Sequence, residues 1–188
     1  MVGSSSLSKI RKDGISGASS VAFNSATSIY HIYCEGKVIT TTVTDKTTMV
    51  DQWVQDINVR YSPNSSVIVG FDVECKPSMI GCNFLMNPNF FFVGFDVADN
   101  ISKIMFHHGL NFGGVYADIK ELVMEKWPGR FLKPILLKDL AKDVVGLSIK
   151  KPKLVSLNNW EARVLSIEYG CIHVYVSYKI GHKILRDD

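Results

Sequence analysis

An α/β domain, with a mixed β-sheet flanked by helices, is the fold class this sequence predicts, and three observations predict it. The chain has 188 residues and is 46% hydrophobic, enough for one domain with a full core and too little for two of ordinary size. Short runs rich in β-branched and aromatic residues alternate with segments of helical period, the pattern of strands and helices interleaved. No internal repeat is present, so a solenoid or propeller is excluded.

Composition narrows the class further. A net charge of +3 and a pI near 8.6 permit contact with a polyanion but fall short of a nucleic-acid footprint. Cys34, Cys75, Cys82 and Cys171 show neither CxxC spacing nor a dense secreted framework, and the N-terminus lacks a signal peptide's apolar core. An intracellular protein, in nucleus or cytoplasm, is expected. The longest apolar run, around Phe90 to Phe95, is far below the roughly 18 residues of a membrane span, so no membrane partner is expected.

Residues 1–27 are rich in Ser, Gly, Lys and Arg without a sustained apolar period and read as a flexible tail; residues 28–188 read as the domain. Ser28 to Thr44 carries β-branched and aromatic residues on both sides of Glu35-Gly36-Lys37, a hairpin signal. Asp45 is placed to cap a helix over Thr48 to Ile57, whose Val50, Trp53, Val54 and Ile57 form one apolar face, with Trp53 expected in the core. Val67 to Cys75 reads as a strand, Phe84 to Met86 as a short helical stretch, and Phe90 to Phe95, after Asn87-Pro88-Asn89, as a second strand. Asn100 to His108 is helical up to Gly109. Val115 to Ile119 is a short strand running into a helix over Lys120 to Lys126. Leu136 to Val145 is an amphipathic helix, and the last helix spans about Ile167 to Leu185.

The first of these later strands carries the chemistry. In VIVGFDVEC, Asp72 and Glu74 are two residues apart on an extended chain, so both project from one face of the sheet with Val73 on the other. Two carboxylates held there can share divalent cations. A lone D-x-E is a weak signal; three further segments in a fixed order make the pattern specific. Taken with FFVGFDVADNISKI, LKDLAKDVVG and NNWEARVLSIEYGCIHVYVSYKIG, it resembles the Werner-type 3′-5′ exonucleases, particularly plant forms, of the DnaQ-like, ribonuclease-H-like superfamily. The resemblance covers roughly residues 28 to 185.

That resemblance implies a ribonuclease-H-like mixed sheet and a site in which four acidic residues hold two Mg²⁺ or Mn²⁺ ions for hydrolysis at nucleic-acid 3′ ends. One ion helps generate hydroxide while both stabilise charge on the attacking and leaving oxygens. Asp72 and Glu74 match the first motif. The second motif's Asp falls at Asn100, three residues before Lys103-Ile104, with Asp99 immediately before it. A carboxamide keeps an oxygen but loses the charge, and Asp99 points about 100° away if the helix has already begun. The third motif matches Tyr169, which orients water in the family, and four residues on places His173 where the family has Asp. Neutral imidazole suits Mn²⁺ or Zn²⁺ better than Mg²⁺; alternatively, His173 is an ordinary helix residue at a site that no longer works.

The family's β-hairpin and helix after the first motif have no room here, since only nine residues, Cys75 to Asn83, separate Glu74 from Phe84. The sheet is therefore expected to be incomplete, with the Asp72 strand at an edge open to pairing with a second copy or a relative. Lys150, Lys151 and Lys153, in the loop before the last helix, are candidate contacts to a nucleic-acid backbone. Phe90 to Phe92, Tyr175 and Tyr178 are either base-stacking platforms or core. Two functions are compatible with these residues: a 3′-5′ exonuclease with activity reduced or lost, or a catalytically inactive nucleic-acid-binding or partner protein.

Overall fold

The hairpin predicted around Glu35-Gly36-Lys37 forms in the computed structural model, which describes residues 7–11, 20–24, 29–61, 66–73, 82–131, 135–149 and 163–186. Strands β3 (Ile29–Cys34) and β4 (Lys37–Thr42) pair antiparallel from Ile29↔Thr42 to Cys34↔Lys37. The two residues between them, Glu35 and Gly36, have φ of 51° and 72°, the positive values a two-residue type I′ connection requires.

The stretch expected as a tail contributes two more strands, β1 (Leu7–Arg11) and β2 (Ser20–Asn24), which extend the hairpin into a four-stranded antiparallel sheet of order β1-β2-β3-β4. For Leu7–Arg11 and Ser20–Asn24 this corrects the expected tail; the rest of 1–27 lies outside the described residues. The reason is non-local: β2 is too short to show a period of its own, but β3 offers it an edge, and pairing sets Val21 opposite Ile32, both fully buried. Phe23 and Tyr30, also directly opposite, stack at 4.5 Å between ring centroids.

Helix α1 (Thr47–Arg60) begins one residue earlier than expected. Its N-cap is Lys46, without a side-chain cap, and Thr44 Oγ1 rather than Asp45 accepts from the Lys46 backbone N–H at 3.1 Å. Val54 is buried and Val50 and Ile57 are partly so, as the helical spacing requires. Trp53 is not in the core: it is 48% exposed, with its ring lying against Phe84 at 5.2 Å.

A second sheet, three-stranded and wholly parallel, has the order β5-β6-β7, with β5 at Val67–Gly70, β6 at Phe90–Gly94 and β7 at Val115–Asp118. The protein is α/β, with antiparallel and parallel pairing in separate sheets among the described residues rather than in one mixed sheet. Alternation sorts the strands between two cores. Phe90 and Phe92 join Val67 and Val69 on one face, with residues of α1, the short α2 (Cys82–Leu85) and α3 (Val97–His108). Phe91, Val93 and Ile68 look to the other face, with α4 (Ile119–Lys126), α5 (Leu137–Val145) and α6 (Arg163–Arg186). Phe90 and Phe92, at 2% and 0% exposure, are core, not stacking platforms.

Val21 and Ile32 of the antiparallel sheet sit in the same core as Leu140, Ile172 and Val176, so this sheet packs on the outer side of α5 and α6. Thr41 Oγ1 lies 3.2 Å from Cys171 Sγ, and burial pushes the Cys171 thiol up from its usual pKa while that contact opposes the shift. No helix of the described residues is long and apolar enough to cross a membrane.

Candidate functional site

Asp72 stands just beyond β5, and its placement starts with a glycine. The Phe71 N–H donates to the Val93 carbonyl at 2.9 Å, carrying the parallel pairing one residue past the strand. A Cβ at Gly94 would come within 2.5 Å of the Phe71 oxygen, so the β5 and β6 chains approach this closely only because Gly94 has none. Phe71 and Val73 turn to the α1/α3 core; Asp72, like Gly70 and Ile68, faces the other way, toward α6.

Helix α3 supplies Asn100, and Asp118 holds that helix in place. Asp118 is buried at the end of β7; its Oδ1 accepts from the Lys120 N–H at 2.8 Å, capping α4, and its Oδ2 accepts from the Val97 N–H at 3.1 Å, satisfying the first turn of α3. One carboxylate thus fixes two helix starts. Asp96, in the left-handed region at φ 53°, is ion-paired with Lys120. This hydrogen bond raises the Lys120 pKa against the opposing effect of burial, with Asp118 and Asp99 adding to the rise.

Helix α6 supplies Tyr169 and His173, and its register is set by close backbone approaches. A Cβ on Gly70 would lie 2.4 Å from the Val174 carbonyl oxygen, and one on Gly181 would lie 2.7 Å from Val93. The helix rests directly on β5 and β6 at these two points.

The three elements bring Asp72, Asn100, His173 and Tyr169 together. Asp72 Oδ1 accepts from Asn100 Nδ2 at 2.9 Å and from the Val73 N–H at 2.8 Å; Asp72 Oδ2 lies 2.9 Å from His173 Nδ1. A carboxylate only accepts, which assigns the proton of that contact to Nδ1. Asn100 Nδ2 also reaches the Phe95 carbonyl at 3.4 Å, while its Oδ1 accepts from Lys103 Nζ at 3.3 Å. Both neighbours of Nδ2 are acceptors and the neighbour of Oδ1 is a donor, so the amide's orientation is fixed by its surroundings. The Tyr169 ring lies 4.7 Å from that of His173. Asp72 and His173 keep 15% and 19% of their side-chain surface, and Asn100 is 4% exposed.

The described members of this set, Asp72, Asn100 and His173, do not as placed fit two divalent cations. Both oxygens of Asp72 are engaged by donors, and the donors include the two residues that stand where the resemblance implies metal-binding carboxylates. Asn100 presents its NH₂ to Asp72, not its oxygen. Among the described residues no group of three or more His, Cys, Asp or Glu is arranged to hold a metal. Asp99 is exposed on α3; because that helix already begins at Val97, Asp99 is turned about 100° from Asn100 and is not brought to the cluster. Glu74, Lys150, Lys151 and Lys153 lie outside the described residues.

The polar network of Asp96, Asp118 and Lys120 is a feature that motif order does not reveal. Asp118 has a local signal, an Asp closing an apolar run and opening Ile-Lys-Glu, which is a helix-start pattern. Its second bond, to a helix 21 residues earlier, has none. Comparison with protein-family models and with curated proteins gives no match to this chain.

Proposed function

We propose that this chain is a non-hydrolysing protein of the Werner-type 3′-5′ exonuclease kind, with a ribonuclease-H-like core that binds nucleic acid without cutting it. The observation that carries this reading is the Asp72 carboxylate held between Asn100 Nδ2 and His173 Nδ1, each at 2.9 Å. A two-metal nuclease needs anionic oxygens that repel one another until cations arrive. Here an amide and an imidazole take the cations' place, so the cluster is satisfied without metal. Tyr169 beside His173 supports the family reading, because the two stand at the helical spacing of the third motif, with His where the family has Asp.

Digestion of a 5′-labelled single-stranded RNA and DNA in Mg²⁺ and then Mn²⁺ tests the proposal, with Asp72→Ala beside it. Wild-type protein is expected to leave both substrates at full length. A shortening ladder that Asp72→Ala abolishes overturns the reading in favour of a working exonuclease.

A second reading is favoured by the parallel sheet itself. Among the described residues β5 pairs only with β6, which leaves its other edge for strand addition by a second copy. Light scattering on the eluting protein is expected to give twice the chain mass of 21.0 kDa if this edge is used, and a monomer at all concentrations removes the reading.

A further inference from the structure

The C-terminal half of α6 carries a feature that the Asp72 cluster does not use. A groove of about 400 Å³ is lined by Lys37 from β4 and by Tyr175, Tyr178, Lys179, His182 and Lys183 from α6. His182 is nine residues beyond His173, about 13 Å along the helix axis, and Tyr175 and His182 fall roughly 180–200° around the helix from it. The groove is therefore separate from the cluster, on the side of α6 nearest the β3–β4 turn.

Its charge is one-sided. Lys179 and Lys183 are four apart on one helix, a like-charge pairing that destabilises an isolated helix, and Lys37 is brought to them from another element. Among the described residues no carboxylate lines the groove; Glu35 acts on Tyr175 only from the exposed hairpin tip. The C-terminus of α5 accounts for Lys183, whose Nζ donates to the Val144 carbonyl at 2.9 Å, but not for Lys37. Burial holds the Tyr175 phenol above its usual pKa. Tyr178 stacks obliquely on His182 at 5.6 Å, presenting aromatic surface beside the lysines. These two tyrosines, expected either as core or as platforms, are half-buried and line the groove.

Cations that converge without a carboxylate, with phenols between them, match a phosphodiester backbone whose sugars and bases meet aromatic rings. We infer that the groove binds the phosphate backbone of single-stranded nucleic acid, with Lys37, Lys179 and Lys183 on phosphates and Tyr175 and Tyr178 against the adjoining sugar or base. The inference rests on the nucleic-acid reading above for the choice of polymer. It is tested separately, because cleavage overturns that reading and leaves binding at this groove to be measured.

The experiment is fluorescence anisotropy of labelled 12-nucleotide single-stranded RNA and DNA with the full chain, at a series of salt concentrations. Lys37→Glu/Lys179→Glu is expected to weaken binding at least about tenfold and to flatten the slope of log affinity against log salt by about 1.4, two phosphate contacts at about 0.7 each. Lys46→Glu/Arg60→Glu makes the same charge change at exposed positions at the two ends of α1 and is expected to stay within about twofold of wild type. Lys37→Gln/Lys179→Gln, a milder pair, is expected to weaken binding by an intermediate factor and covers the case in which charge reversal disturbs folding. Absence of wild-type binding, or an equal loss in the α1 control, overturns the inference. So does competition by inorganic pyrophosphate as effective, per phosphate, as the oligonucleotide, which identifies a small-phosphate site instead.

Discussion

Asn100→Asp is expected to destabilise the protein by about 3–5 kcal/mol in metal-free buffer, the cost of breaking a buried charged contact from one side, and millimolar Mn²⁺ is expected to restore most of that loss. In the wild type the Asn100 amide gives a 2.9 Å hydrogen bond to Asp72 Oδ1 in a place where Asn100 itself is 4% exposed. The substitution removes a hydrogen bond to a charged group, a contribution of about 1.5–3 kcal/mol. It also sets a second carboxylate beside the first and turns an oxygen toward the Phe95 carbonyl, now without a donor between them. The repulsion brings the total to the upper range. Two facing carboxylates are a cation site, so the variant acquires a metal dependence. The wild-type melting temperature is expected to move by less than about 1 °C with either ion, because a ligand that does not bind the native state does not stabilise it. Thermal unfolding with and without Mg²⁺ and Mn²⁺ measures both. A wild-type protein stabilised by millimolar Mg²⁺ overturns the description of the cluster as satisfied without metal.

The positions of the cluster are legible in the sequence; their state is not. Asp72, Asn100, Tyr169 and His173 are all marked by motif order, and the structure brings all four together. That Asn100 turns its NH₂ inward, however, depends on the Phe95 carbonyl and Lys103 on either side of the amide, which no spacing announces. The same divide runs through the fold. Strand β6 and helix α5 are readable because a run of phenylalanines and a helical apolar period are local signals. Strand β2 is not, because Val21 is buried only through its partner Ile32 and the helices beneath. Helical period alone puts Trp53 in the core, but its ring lies tilted against Phe84 and half of it stays exposed.

Gly70→Val is expected to destabilise the protein by more than about 3 kcal/mol, and Gly70→Ala by about 2–3 kcal/mol, with loss of the His173 contact in both. The Cβ that Ala introduces would sit 2.4 Å from the Val174 carbonyl oxygen, 3.0 Å from Tyr178 Cβ and 3.1 Å from Val174 Cγ1. The first of these is backbone in the middle of a helix, so no side-chain rotation relieves it and the helix must move. Overpacking of this kind costs about 1–3 kcal/mol, occasionally more, and Val adds two further methyls to the same space. His173 immediately precedes Val174, so any shift of α6 away from β5 lengthens its 2.9 Å contact with Asp72. Gly170 on the same helix supplies the comparison: nothing lies within 4 Å of its Cβ position. Gly170→Ala is therefore expected to stabilise the protein by about 0.5–1 kcal/mol through helix propensity alone. Urea unfolding followed by tryptophan fluorescence gives the signs and sizes, and the imidazole proton resonance of His173 reports whether its bond to Asp72 survives. Opposite signs at the two glycines locate the constraint in the contact between α6 and β5. If both glycines tolerate alanine, the helix is free to slide, and the geometry of the Asp72 cluster is set by its own hydrogen bonds rather than by the packing beneath it.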